Sequence, residues 1–469
     1  MKEESQLSEV SVGIDLGVTA QHEAYILGPA GKKTFRFFTT VDEIDALVNL
    51  ARSTAEHPED KIIFVLEPTG RSWIAISRIL KAQGYDVYMV NAKRVKHYRS
   101  YLNGKRKTDK LDAKVLAAMG RDYEVLTPVV IPREEVMVLQ ILTRERVRLQ
   151  ELATSEKKRI KALCHEILPG LPSLLGDNFY HKAWRPFLSK FINPFDIMRA
   201  GPEGISDFLA RHDAKSDDLK LVPSVLNLAS EVCKLHGIEN KMYFQAIALT
   251  MGNYLDILDT CESKVEEHDK LIAVNYPAAH PSRVVETVPG VGRILAPVLI
   301  ACTGDPDRFS SLKKYKGYSG FIPEVSESGE RAALGLRMTK QGPNHLKRAL
   351  YLAADRARRW DIELARIYYK AMTEKGHCHA QAVCVVANNL AGRILTILKE
   401  DRPYVIRGPK GAPISRTEAN QYILKHLTVP EHIRQRKRSR NIAKKERLLN
   451  PHTRQSKTPQ VSANRLSGQ

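Results

Sequence analysis

Apolar and polar residues alternate along the start of the chain and then change period. Residues 10–15, 23–27 and 33–39 follow the two-residue period of strands, joined by turns that hold Gly17 and Gly28-Pro29-Ala30-Gly31. Residues 42–55 then take a helical period, 61–66 form a β-branched run, 71–83 are again helical, 86–90 read as a strand and 108–119 as a helix. Beyond Pro132 the pattern lengthens. Leu139, Leu142, Arg146, Leu149, Ala153, Glu156, Ile160, Leu163 and Ile167 step by three and four, and Phe244, Ile247, Met251, Tyr254, Leu258, Cys261, Val265, His268 and Ile272 repeat that alternation. The two series predict the arms of an antiparallel coiled coil. Between them, residues 169–240 are richer in Pro, Gly and aromatics, Trp184 included, and predict a helical insertion.

The first part therefore has the order β-β-β-α-β-α-β-α. This is the order of the ribonuclease H-like fold, in which three antiparallel strands continue into parallel ones covered by helices.

At 469 residues the chain exceeds one ordinary core, so two or three folded units are expected. The 73 Lys+Arg against 53 Asp+Glu leave a net charge of +20, which favours a polyanionic partner, nucleic acid before membrane. No secretory leader and no apolar run of bilayer-spanning length stands out, so a cytoplasmic protein is expected, nucleoid-associated when bound to DNA. The six cysteines lack CxxC pairing and read as reduced thiols; His377-Cys378-His379 with Cys384 lacks the separated ligand pairs of structural zinc. Residues 431–469 carry eleven Lys/Arg against Glu431 and Glu446, the composition of a phosphate-binding tail.

Four acids stand out by position. Asp15 interrupts an apolar strand, where a lone carboxylate is costly without a cation or donor. Glu67 closes the run 62–66, expected beside the first strand. Asp109 and Asp112, three apart, share one face at a helix start that favours negative charge, with Thr108 as N-cap. Converging at strand ends, these carboxylates would hold two divalent ions roughly 3.5–4 Å apart, suited to phosphodiester displacement, with magnesium the natural choice for oxygen ligands. Lys93, Arg94, Lys96, Arg99, Lys105, Arg106 and Lys107, interleaved with Tyr98 and Tyr101, read as a basic loop that draws phosphate toward the metal. Val288-Pro289-Gly290-Val291-Gly292 is similar to the hairpin of a helix-hairpin-helix, whose glycines Gly290 and Gly292 would admit a DNA phosphate to backbone N–H groups. Ser328 reads from its spacing alone as a polar loop residue, since nothing local identifies a base to activate it.

Several motifs together resemble one family, the insertion-sequence transposases of the IS-one-hundred-ten (DEDD) type, some of which are RNA-guided recombinases. The motifs are Gly13-Ile14-Asp15, Leu66-Glu67-Pro68-Thr69-Gly70, Lys107-Thr108-Asp109-Lys110-Leu111-Asp112-Ala113, the Gly290/Gly292 pentapeptide, Tyr318-Ser319-Gly320 with Ser328-Gly329, and Thr339-Lys340-Gln341-Gly342 leading into Leu346-Lys347-Arg348-Ala349-Leu350. The resemblance implies a RuvC-like domain over 1–124 with Asp15, Glu67, Asp109 and Asp112 as Mg2+ ligands and a mainly helical transposase domain over 281–400; periodicity and composition add a coiled-coil linker over 125–280 and a basic tail over 401–469, largely disordered when free. It implies a DNA recombinase of a bacterial mobile element whose Ser328 attacks a DNA phosphate to form a phosphoserine, with Ser326 two residues away as the alternative nucleophile. It also implies nucleic-acid contacts that extend to Lys340, Lys347 and Arg348, donor and target DNA with a structured guide RNA as partners, dimers pairing into a tetramer, and no membrane. The alternative is a RuvC-like nuclease that uses activated water alone.

Overall fold

The computed structural model describes residues 9–17, 19–68, 70–103, 108–122, 124, 126–181, 183–322, 327–328, 331–332 and 342–434, in two compact units divided after Pro132. The first unit is built on a six-stranded mixed sheet in the order β3-β2-β1-β4-β5-β6. Strands β1 (Glu9–Asp15), β2 (His22–Gly28) and β3 (Gly31–Phe37) form an antiparallel meander, with α1 (Val41–Arg52) after it. Then β4 (Lys61–Leu66) pairs parallel to β1, α2 (Ser72–Ala82) crosses back, and β5 (Asp86–Met89) pairs parallel to β4. Helices α3 (Ala92–Asn103) and α4 (Asp109–Met119) and the short antiparallel β6 (Thr127–Pro128) complete the unit.

Strand alternation sends side chains to opposite faces, and the two faces take different helices. Val10, Val12, Ile14, Ile62, Phe64 and Leu66 pack with α1 and α2, whereas Ile63 and Val65 pack with Val95 of α3 and with Val115, Leu116 and Met119 of α4. On β1 the second face carries Ser11, Gly13 and Asp15. Helix α4 lies directly on it: a Cβ at Gly13 would meet the carbonyl of Ala113 and the N–H of Ala117 at 2.2 Å each, and the Ser11 hydroxyl donates to the Ala117 carbonyl at 2.8 Å.

Three local features depart from the sequence reading. The β2–β3 hairpin closes on a Gly28–Gly31 pair, so its turn is only Pro29-Ala30 and β3 starts two residues early. The basic stretch read as a loop is helix α3 through Asn103; Lys, Arg and Tyr support a helix, but Val95 is its one fully buried apolar side chain among the described residues, too little for a visible period. The two-residue β6 carries no pattern at all.

The second unit opens with α5 (Glu134–Ile167), which runs antiparallel to α11 (Lys241–Ala279). The ion pairs Arg146–Asp269 and Lys157–Glu262, both at 2.6 Å, fix the direction, because the numbers rise on one helix as they fall on the other. The charged positions in the apolar series are thus matched: Arg146 takes Asp269, and buried Glu156 takes Arg159 at 3.0 Å. Between these helices, α6 (Leu171–Leu175), α7 (Trp184–Lys190), α8 (Pro194–Ala210), α9 (Ser216–Leu219) and α10 (Val222–His236) close a core around Trp184, whose indole N–H donates to Asp218 at 2.9 Å. The chain continues through α12 (Leu295–Thr303), α13 (Leu312–Ser319), the two-residue strands β7 (Glu327–Ser328) and β8 (Arg331–Ala332), α14 (Asn344–Ala357), α15 (Ile362–Thr373), α16 (His379–Glu400) and α17 (Arg416–His426). Val136 and Leu139 of α5 and Ile272, Tyr276 and Ala279 of α11 share a core with α12–α16, so the boundary at 280 marks a change of pattern and not of packing.

Two further expectations are corrected here. Residues 401–434, read as the start of a disordered tail, are folded: Ala419 and Ile423 pack on Ile362 and Ala365, and Val429 and Ile433 pack on Ala371 and Met372. Five buried apolar side chains, these four and Ile406, spread through a polar stretch anchor it, too sparse to register as composition. Residues 435–469 lie outside the described residues. Helix α16 does have the length and apolar composition of a membrane span; more than half of its most apolar 18-residue stretch is buried, and Val383, Val386, Leu390 and Ile394 belong to the core shared by α12–α16.

Gly13→Ala is expected to destabilise the first unit by at least about 2 kcal/mol, because backbone and not a flexible side chain meets the new methyl. Urea unfolding followed in the isolated signal of that unit, for example by Trp73 fluorescence with the other tryptophans replaced, checks this; an unchanged midpoint would contradict it.

Candidate active site

Strands β1 and β4 are parallel and end together, with Ile14 beside Leu66, so the next residues along, Asp15 and Glu67, stand side by side at the carboxyl end of the sheet. The close seat of α4 on Gly13 then brings the first turn of that helix over them. Thr108 caps it as the sequence predicts, its hydroxyl accepting from the Leu111 N–H at 3.2 Å, and the helix start supplies partial positive charge to Asp109 and Asp112. Asp15, Glu67, Asp109 and Asp112 all line one cavity of about 480 Å³, closed by the β1–β2 turn at Thr19, Ala20 and Gln21 and by Lys96 and Arg99 of α3.

The four acids differ in setting. Asp109 is exposed, whereas Asp112 is buried and both of its oxygens accept from one guanidinium nitrogen of Arg99, at 2.5 and 2.7 Å. An all-oxygen donor set in a polar cavity suits a hard divalent cation. Among the described residues, however, no three His, Cys, Asp or Glu side chains are gathered tightly enough to grip an ion as they stand, and the Arg99 contact holds Asp112. The His377-Cys378-His379 stretch forms no such group either; His379 instead meets the Tyr368 hydroxyl at 2.9 Å.

Sequence reasoning missed a neighbouring pair. Glu23 on β2 lies directly opposite Asp15 in the register, is buried, and accepts from Arg36 of β3 at 2.6 Å. Donation to the Glu23 carboxylate, with its charge, raises the Arg36 pKa above the usual arginine value, and the charge of Asp109 adds in the same direction. An acid at an inward-facing strand position was the available signal, the same one that picks out Asp15.

The basic residues divide. On α3, Lys93, Arg94 and Lys96 are exposed while Arg99 turns into the cavity; Lys105, Arg106 and Lys107 lie outside the described residues. In the second unit, Gly290 has φ +83° and its missing Cβ lets the turn approach α14, where a Cβ would meet the Ala353 carbonyl at 2.4 Å. Packing therefore accounts for Gly290, and the turn leads into α12, which is almost wholly buried. Gly292 is exposed at the start of that helix. Lys347 is half-buried on α14, and its neighbour Arg348 pairs with Glu151 at 3.0 Å. Lys340 and Ser326 lie outside the described residues, as does the side chain of Ser328, whose backbone belongs to β7 and pairs with Arg331.

Residues 12–169 match the DEDD family model of the IS110 type, described as a transposase, and residues 282–370 match the model described as the transposase IS116/IS110/IS902 family. The chain belongs to the IS110 family of transposases. It is 23% identical over 400 residues to the insertion element IS116 44.8 kDa protein of Streptomyces clavuligerus, covering 85% of this chain and 96% of that one. It is 24% identical to the insertion element IS110 43.6 kDa protein of Streptomyces coelicolor, covering 87% and 98%. A pilin gene-inverting protein of Moraxella bovis is 24% identical over 213 residues, 42% of this chain and 65% of its own. As an IS110-family protein the chain is a DNA transposase/recombinase, and the DEDD transposases use divalent metal in general.

The unequal settings of Asp109 and Asp112 have a measurable consequence. Asp112→Asn strips the largely buried Arg99 of its charge partner and is expected to destabilise the metal-free transposase by roughly 3 kcal/mol, while Asp109→Asn at its exposed site stays within about 0.5 kcal/mol of wild type. Urea unfolding in EDTA compares them; equal effects would contradict the assignment.

Proposed function

We propose that this transposase cuts and rejoins DNA by a metal-assisted serine mechanism. Asp15, Glu67, Asp109 and Asp112 would hold Mg2+ in a RuvC-like domain, and Ser328 would be the nucleophile. The observation that carries the reading is the convergence of four acids from three distant segments, Asp15, Glu67 and the Asp109/Asp112 pair, on one cavity beside a basic helix, in a chain of this family. Bound divalent cations would supply positive charge to the non-bridging oxygens of the scissile phosphate. The exposed Lys93, Arg94 and Lys96 of α3 would draw the DNA backbone to the cavity mouth, an effect that weakens as salt rises. Ser328 Oγ would attack phosphorus, so that a Ser–O–P bond forms as one P–O ester bond of the strand breaks, and the serine proton passes to the released sugar oxygen. Attack by a sugar hydroxyl of the partner strand on the phosphoserine reverses these exchanges and reseals the DNA.

Ser328 and the carboxylates belong to different units of the chain. A dimer, with dimers pairing into a tetramer, would let one subunit's acids serve another's serine, and α5 with α11 supplies the long helical surface for the dimer contact. We further propose a structured non-coding RNA as guide, with base pairing reading sequence and the strongly basic protein reading backbone shape. Such a protein acts in the cytoplasm, where the element's DNA lies.

Ser328→Ala is expected to abolish a covalent protein–DNA adduct and to reduce recombination by at least about 10^3-fold, with Ser326→Ala close to wild type. Adducts trapped on a labelled element end and resolved in denaturing gels test this. Strand cleavage that persists in Ser328→Ala and vanishes in Asp15→Asn would instead indicate a nuclease using activated water.

A further inference from the structure

Asp112 is one of the four acids assigned to cation binding, yet a single nitrogen of Arg99 engages both of its oxygens. The two side chains are only 17% and 8% exposed, so water screens this pair far less than it screens surface ion pairs. Arg99 also lines the cavity itself, beside the more exposed Lys96, and Lys93 and Arg94 of the same helix face solvent.

We propose that Arg99 is a latch on the carboxylate pocket, released by a DNA phosphate, so that divalent cation and DNA load together. The proposal rests on the metal reading above. A guanidinium seated on Asp112 neutralises a ligand and places a positive charge where a divalent ion must come, so metal binding to the free protein is opposed. A phosphodiester entering along α3 offers Arg99 an anion that matches its planar donor fork as well as the carboxylate does. Transfer of Arg99 to that phosphate frees the oxygens of Asp112 and aligns the strand beside them. Each ligand thereby removes the obstacle to the other, and the coupling is reciprocal by linkage. The latch neutralises Asp112 within the pocket and keeps the pocket poorly metallated until substrate arrives.

The test is Mn2+ binding to the full-length protein, followed by the electron paramagnetic resonance of free Mn2+ with and without duplex DNA, corrected for ions held by DNA alone. Wild type is expected to bind weakly alone and about 10-fold more tightly with DNA. Arg99→Gln should bind at least about 10-fold more tightly than wild type without DNA and gain less than about 3-fold from adding it. If Arg99→Gln unfolds in EDTA, Arg99→Lys, which keeps a charge but holds Asp112 through a compact ammonium group, carries the same comparison and should bind Mn2+ more tightly than wild type without DNA and gain less from adding it. Arg99 variants that bind Mn2+ no better than wild type, or wild-type binding indifferent to DNA, would overturn the latch while leaving the metal site standing. Mn2+ binding unaffected by Asp15→Asn would overturn the metal reading itself.

Discussion

The absence of a side chain at Gly13 is the constraint on which the first unit depends. It lets the backbone of α4 rest on β1 closely enough that an added methyl would lie 2.2 Å from a carbonyl oxygen and an amide nitrogen. Because α4 cannot stand farther off without losing that seat and the Ser11–Ala117 bond, its first turn is carried to the end of β1. Asp15, at the end of a strand, and Asp112, nearly a hundred residues later, thereby line the same cavity. The register of β1 with β4 adds Glu67. Backbone packing thus sets the site, and the acids decorate positions already fixed by it.

Gathering acids costs electrostatic free energy, and the unit meets that cost locally. Arg99 compensates Asp112 in the interior, Arg36 compensates Glu23 at the next strand over, and the N-terminal dipole of α4 favours charge on its first turn. Asp109 is left to solvent. Asp112 and Glu23 are thereby compensated by arginines of the chain itself, in an enzyme whose DNA partner is a polyanion.

Much of this was legible in the sequence, for physical reasons that also explain what was not. Two-residue and 3.6-residue periods identified the strands and long helices because each buries a continuous apolar face, and the acids stood out because a carboxylate in an apolar strand needs a reason. Helix α3 escaped notice since Val95 is the one fully buried apolar side chain among its described residues, and the folded segment to residue 434 escaped since Ala419, Ile423, Val429 and Ile433 are scattered among polar residues. Gly290 was read for access to phosphate where the structure uses it for contact with α14. That Arg99 would meet Asp112 and not only phosphate could not be read from spacing, because it depends on how α3 folds back over α4.

The most direct measurement is an anomalous-scattering map from crystals of the protein with DNA grown in Mn2+. The account predicts peaks bounded by Asp15, Glu67, Asp109 and Asp112, with Arg99 turned to a phosphate. Ordered carboxylates with no anomalous peak between them, or Mn2+ held by other residues, would contradict it.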